Sequence, residues 1–119
     1  MADRDMKLPE RYPKPGYYYH YKHDQSGAFN DYAYFVFGAG CNTEDCPPEL
    51  QFWLNYQPLY ESAFVYQNGQ MMDNRPLDMF FDIVEHKGEK VPRYKEITDP
   101  DLIAKLSAQR RKMWPNAFL

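Results

Sequence analysis

Tyr17, Tyr19 and Tyr21 alternate with Tyr18, His20 and Lys22, so an extended segment here carries a more apolar face and a more polar one. The polar set is expected to face solvent or a ligand. Asp24-Gln25-Ser26-Gly27 supplies turn residues, and Tyr32 to Phe37 then reads as a strand closed by Gly38-Ala39-Gly40. Residues 41–49, with both cysteines and Pro47-Pro48, read as a protruding loop. Leu50 to Tyr56 is strand-like again, with Phe52, Leu54 and Tyr56 alternating before Pro58 interrupts any ladder. Ala63 to Gln67 and Gln70 to Asp73 flank Asn68-Gly69, whose residues tolerate the positive φ of a type I′ turn, so a hairpin is expected there. Pro76 to Phe81 matches neither period and reads as a compact corner. A second hairpin is expected from Ile83 to His86 and Val91 to Ile97 around Lys87-Gly88-Glu89.

The pattern then changes to that of a helix. Thr98 or Asp99 can cap it, Pro100 suits its first position, and Leu102, Ile103, Leu106 and Met113 mark one apolar stripe. Arg110, Arg111 and Lys112 fall in its last turn, where cations complement the helix dipole, and Trp114-Pro115 ends it. Residues 1–15 are charged and contain Pro9, Pro13 and Pro15, so they read as an extended or disordered arm. The organisation expected is therefore an arm over 1–15, one β domain over 16–97 and a helix over 98–114 packed on it. The fold class is mainly β: a small antiparallel barrel or roll with one C-terminal helix.

Composition sharpens this picture. Of 119 residues, 18% are aromatic and eleven are tyrosines, so rings must supply much of the core volume. A net charge of −3 disfavours phosphate backbones and anionic membranes as partners. Two cysteines are too few for a disulfide scaffold, and apolar runs such as Phe35-Val36-Phe37 are too short to span a bilayer. The amino terminus has no apolar signal-peptide core, and a cytoplasmic protein with reduced thiols is expected.

From Gly16 to Ile97 the chain resembles a family of small bacterial domains of unknown function. The matching blocks are His20-Tyr21-Lys22, Tyr34-Phe35-Val36-Phe37-Gly38, Asn55-Tyr56-Gln57-Pro58-Leu59-Tyr60, Arg75-Pro76-Leu77-Asp78-Met79-Phe80 and Val91-Pro92-Arg93-Tyr94. The resemblance implies an SH3-like barrel and brings no activity with it. The chain departs from the family's pattern in a longer stretch between Tyr60 and Arg75. It also has Met72-Asp73-Asn74 in place of the usual tryptophan, and Cys41-Asn42-Thr43-Glu44 where a His-Ser-Glu-Thr stretch is common.

The leading constellation is His20, Lys22, Glu44 and Arg75, with Tyr18 among the neighbouring rings. Two cations could hold a carboxylate or phosphate while Glu44 orients His20 or a ligand amine. Against it stands the plainer reading, in which Arg75 bonds loop carbonyls and Lys22 is solvated. His20-x-x-His23 and Cys41-x₄-Cys46 have poor spacing for zinc, because residues three apart on a strand diverge. Cys41 lacks the helix-entry setting that activates a thiol. The tyrosines could also form a cation cage or a stacking surface, although most are needed for the core. The expected function is non-enzymatic recognition of a small molecule, peptide or protein through a polar-aromatic groove, with no cofactor and the oligomeric state open. The alternative is a small hydrolase-type enzyme using His20 and Glu44 as acid and base on an anionic substrate. A nucleic-acid-binding barrel is weaker still.

Overall fold

In the computed structural model of the chain, residues 11–60 and 72–114 are described. The strands are β1 (Gly16–His20), β2 (Ala33–Cys41), β3 (Phe52–Pro58), β4 (Asp73–Pro76), β5 (Ile83–His86), β6 (Glu89–Pro92) and β7 (Tyr94–Glu96). Short 3₁₀ turns cover Pro48–Leu50 and Leu77–Phe81, and helix α1 runs over Pro100–Met113. Five strands form one antiparallel sheet in the order β4-β3-β2-β1-β7, and β5 and β6 form a separate ribbon. The protein is thus mainly β with one C-terminal helix. Among the described residues β4 and β7 are the sheet's edges, and no ladder joins them.

Alternation divides the rings between two cores. Tyr17 pairs with Phe35 and Tyr18 with Tyr34, so adjacent tyrosines leave β1 on opposite faces. On one face Tyr17, Ala33, Leu59 and Ile97 pack with Leu106, Met113 and Trp114 from α1 and its end. On the other, Tyr18, Tyr34, Val36, Leu54, Tyr56 and Tyr94 pack with Phe80. The second face is not the solvent-facing one that its polarity suggests. The 3₁₀ corner brings Phe80 onto it, edge-on to Tyr18 at 5.1 Å and stacked on Tyr94 at 5.2 Å. Tyr18 and His20 are consequently only 6% and 8% exposed.

Local chemistry explains the remaining details. A bulge between Val36 and Gly38 leaves Phe37 without a partner on β3, and Gly38 adopts φ 143°, which a side chain would resist. Lys87 and Gly88 have φ of 51° and 80°, so β5 and β6 are joined by a two-residue I′-type turn and Glu89 belongs to the strand. The expected Val91–Ile97 strand divides at Arg93. Its N–H donates to Asp82 O (2.8 Å) and its carbonyl accepts from Tyr21 N (2.9 Å), carrying the chain from the ribbon to β1. The hairpin expected around Asn68-Gly69 lies outside the described residues.

Asp99 caps α1 by accepting from Asp101 N–H at 3.0 Å. Arg110, expected only to complement the helix dipole, lies 3.8 Å from the Phe35 ring centroid and donates from Nε to Gln57 Oε1 at 2.8 Å. The described part of the arm, without regular structure from 11 to 14, touches the domain. Pro13 is buried, the Tyr18 hydroxyl donates to Lys14 O at 2.7 Å, and Arg11 sits 4.3 Å from the Phe81 ring centroid. No helix among the described residues is long and apolar enough to cross a membrane.

Candidate functional site

The chain turns back sharply after β1: His23 N–H donates to His20 O, and His20 N–H donates to Tyr32 O, each at 2.9 Å. This reversal leaves the His20 ring at the end of the strand, among aromatic neighbours. The centroids of Tyr21, Tyr94, Tyr32 and Tyr34 lie 4.4, 5.4, 5.5 and 6.4 Å away. His20 Nδ1 accepts from Lys22 N–H at 3.2 Å, which assigns the ring proton to Nε2. Burial, followed by the charges of Arg93, Lys22 and Arg75, lowers the His20 pKa to about 4. At neutral pH the imidazole is uncharged, and Nε2 is a hydrogen-bond donor.

Phenols and guanidinium groups extend the cluster across the sheet. Arg75 pairs with Leu54 in the β3–β4 ladder, on the same face as Tyr56, and its Nε donates to the Tyr56 hydroxyl at 2.6 Å. Burial opposes the Arg75 charge, but the bond to Tyr56 and the nearby phenols outweigh it, so its pKa is raised. The Tyr34 and Tyr60 hydroxyls share a 2.6 Å hydrogen bond, and Tyr32 and Tyr60 have centroids 5.0 Å apart. Burial first, then the Tyr60 bond, drives the Tyr34 phenol far above its ordinary pKa. Tyr94 is 7% exposed, and its hydroxyl is inaccessible and forms no hydrogen bond to the described residues. Burial raises its pKa, and the charge of Arg75 counters part of that rise. Arg93 pairs with Asp82 at 3.4 Å through Nη2, while its buried Nε has no partner among the described residues.

The structure brings together His20 and Arg75, with Lys22 beside them; Lys22 is exposed, its ammonium 5.9 Å from the Tyr21 ring centroid. Tyr18 belongs to the core, and its hydroxyl donates to Lys14 O. Glu44 is elsewhere. Its N–H donates to Asn42 Oδ1 in the exposed loop after β2. Tyr19 pairs with Ala33 at the start of β2, and that strand ends at Cys41. At about 3.3 Å per residue, most of the strand's length separates Glu44 from His20. The two histidines also diverge, His23 stacking on Tyr19 at 3.6 Å.

Sequence reasoning did not place Tyr56, Tyr94 or Arg93 in this cluster. Tyr56 carried a usable signal, since it alternates with Leu54 and Phe52. Tyr94 and Arg93 reach the cluster only because β7 pairs with β1, setting His20 opposite Tyr94. No short-range pattern announces that pairing. No family model, no curated protein and no solved structure matches the chain.

Proposed function

We propose that the chain is a non-enzymatic recognition module that holds an anionic group at the His20–Arg75–Tyr94 end of the sheet. The observation that carries this reading is the convergence of the Arg75 guanidinium, held by its Nε bond to Tyr56, with the neutral His20 ring and the exposed Lys22. The donors gathered here are the Arg75 guanidinium, His20 Nε2–H and, at the margin, the Lys22 ammonium. Such a set suits a carboxylate or phosphate on a small molecule, a peptide or a partner protein. The hydrolase alternative has less support, because an imidazole with pKa about 4 is a weak base and Glu44 stands too far away to assist it.

The SH3-like barrel and the family resemblance belong to the same proposal. They are supported by the β1–β2–β3–β4 meander, the bulge in β2, the 3₁₀ turn directly after β4, and the return of β7 to β1. A cytoplasmic setting is consistent with the two free thiols, Cys41 and Cys46. The test is calorimetric titration with inorganic phosphate and with acetate, citrate and a C-terminal peptide carboxylate. At least one is expected to saturate, and Arg75→Met to weaken it about tenfold or more, equivalent to about 1.4 kcal/mol. No saturable heat with any of these probes, or unchanged affinity in Arg75→Met of intact fold, refutes the proposal.

A further inference from the structure

A second recess, of about 360 Å³, is lined by Gly40, Cys41, Asn42, Trp53, Asn55 and Asn74. It lies towards the Cys41 end of β2, away from His20, and stands independently of the anion-binding reading. Three carboxamides and an indole dominate its lining, and among the described residues no lysine, arginine, histidine or acid contributes to it.

Register explains the grouping. Trp53 pairs with Gly40 on one side and Pro76 on the other, while Asn55 pairs with Gly38 and Asn74. Cross-strand partners share a face, so Trp53, Asn55 and Asn74 project together. The two glycines put no side chain beside Trp53 and Asn55 on the β2 side. A Cβ at Gly40 would lie 3.0 Å from Asn55 Nδ2, so the carboxamide would have to give way slightly to admit a side chain. The indole is fixed, with Nε1 donating to Leu50 O at 2.6 Å, so it offers the recess a ring rather than a donor. Asn42 is anchored by its N–H to Gln51 O (2.7 Å) and by its Oδ1, which accepts from Glu44 N. The Asn55 and Asn74 amides form no hydrogen bond to the described residues.

We propose that this recess binds a neutral polyhydroxylated ring, a single sugar unit. The Asn55 and Asn74 carboxamides each present a donor and an acceptor side by side, which vicinal hydroxyls can satisfy at once, and Asn42 adds its Nδ2 donor. The C–H face of a pyranose is apolar and slightly positive, which complements the electron-rich face of an indole. An ion would find no opposite charge among the described residues of the lining. The volume is at the small end of ligand sites, about 300–1,000 Å³, which matches one ring rather than a long chain.

The experiment is an NMR titration of the ¹⁵N-labelled full chain with glucose, galactose and N-acetylglucosamine, and separately with adenosine. Saturable shifts are expected with at least one sugar, centred on the Trp53 indole and the Asn55 and Asn74 side-chain NH₂ resonances, with Trp114 unmoved. Asn74→Ala, at an exposed position, should weaken binding at least severalfold, and Trp53→Phe should retain part of it. Arg75→Met should leave sugar binding unchanged, which separates this site from the anion site. Absence of saturation by all three sugars at high millimolar concentration overturns the proposal. So do shifts at these residues with adenosine alone, or sugar shifts centred on other residues.

Discussion

Replacing Tyr94 by Phe should stabilise the protein. The ring is stacked on Phe80 at 5.2 Å and sits edge-on to Tyr34 at 5.6 Å, and Phe keeps both contacts. Only the hydroxyl is lost, and it bonds to no described residue. An unsatisfied buried polar group costs about 1–3 kcal/mol, so the exchange should gain about 1 kcal/mol after some loss of packing. For a chain of this length that is a rise of about 4 °C in Tm. Tyr34→Phe is the control. It removes the 2.6 Å hydrogen bond to Tyr60 and should cost about 1 kcal/mol. Urea unfolding followed by circular dichroism measures both, with the slope required to stay constant so that the midpoint reports stability. A loss of 1 kcal/mol or more in Tyr94→Phe would refute the reasoning, because the hydroxyl would then have a structural partner.

Two further outcomes follow from the same geometry. The unfolded His20 imidazole takes up its proton near pH 6.5, whereas the folded one resists until about pH 4. Its contribution to stability is therefore complete above pH 6.5 and declines as the pH falls towards 4, by up to about 1.4 kcal/mol per pH unit; His20→Gln should flatten that slope in a urea-midpoint series. Arg110→Met removes the donor to Gln57, a residue only 2% exposed, along with the guanidinium over Phe35. The loss should be about 2 kcal/mol by urea unfolding, and a change below about 0.5 kcal/mol would mean that the pair is replaced by solvent.

Elements built from contiguous residues were legible in the sequence. Period-two alternation marked β1 and β3, the aromatic run closed by Gly38-Ala39-Gly40 marked β2, the Asp99-Pro100 pair marked the start of α1, and Lys87-Gly88 marked a reversal. Features that depend on distant pairing were not. Arg93 looks like an interior position of one strand, yet it is the hinge at which the chain leaves β6 for β1. The polar parity of Tyr18 and His20 suggested a wet face, because the sequence does not indicate that Phe80 will be laid over it. The candidate site was half legible for the same reason. His20 and Arg75 stood out as polar residues in aromatic surroundings, but only the strand order shows that Arg75 shares a face with Tyr56 and that Glu44 belongs to the other end.

A core built from phenols must also place its hydroxyls, and most of these tyrosines solve that problem locally. Tyr18 bonds to Lys14 O, Tyr19 to Phe29 O at 2.6 Å, Tyr34 to Tyr60, and Tyr56 accepts from Arg75. The partners come from the arm, a loop, another ring and a neighbouring strand, so the fold has several ways to satisfy a buried phenol. Tyr94 is the exception, since its hydroxyl has no such bond among the described residues. A general tolerance of unbonded hydroxyls would leave several of the buried rings in that state. The one exception sits where strand order sets Tyr94 opposite His20, out of reach of solvent, so its hydroxyl is a cost to stability that Phe would remove.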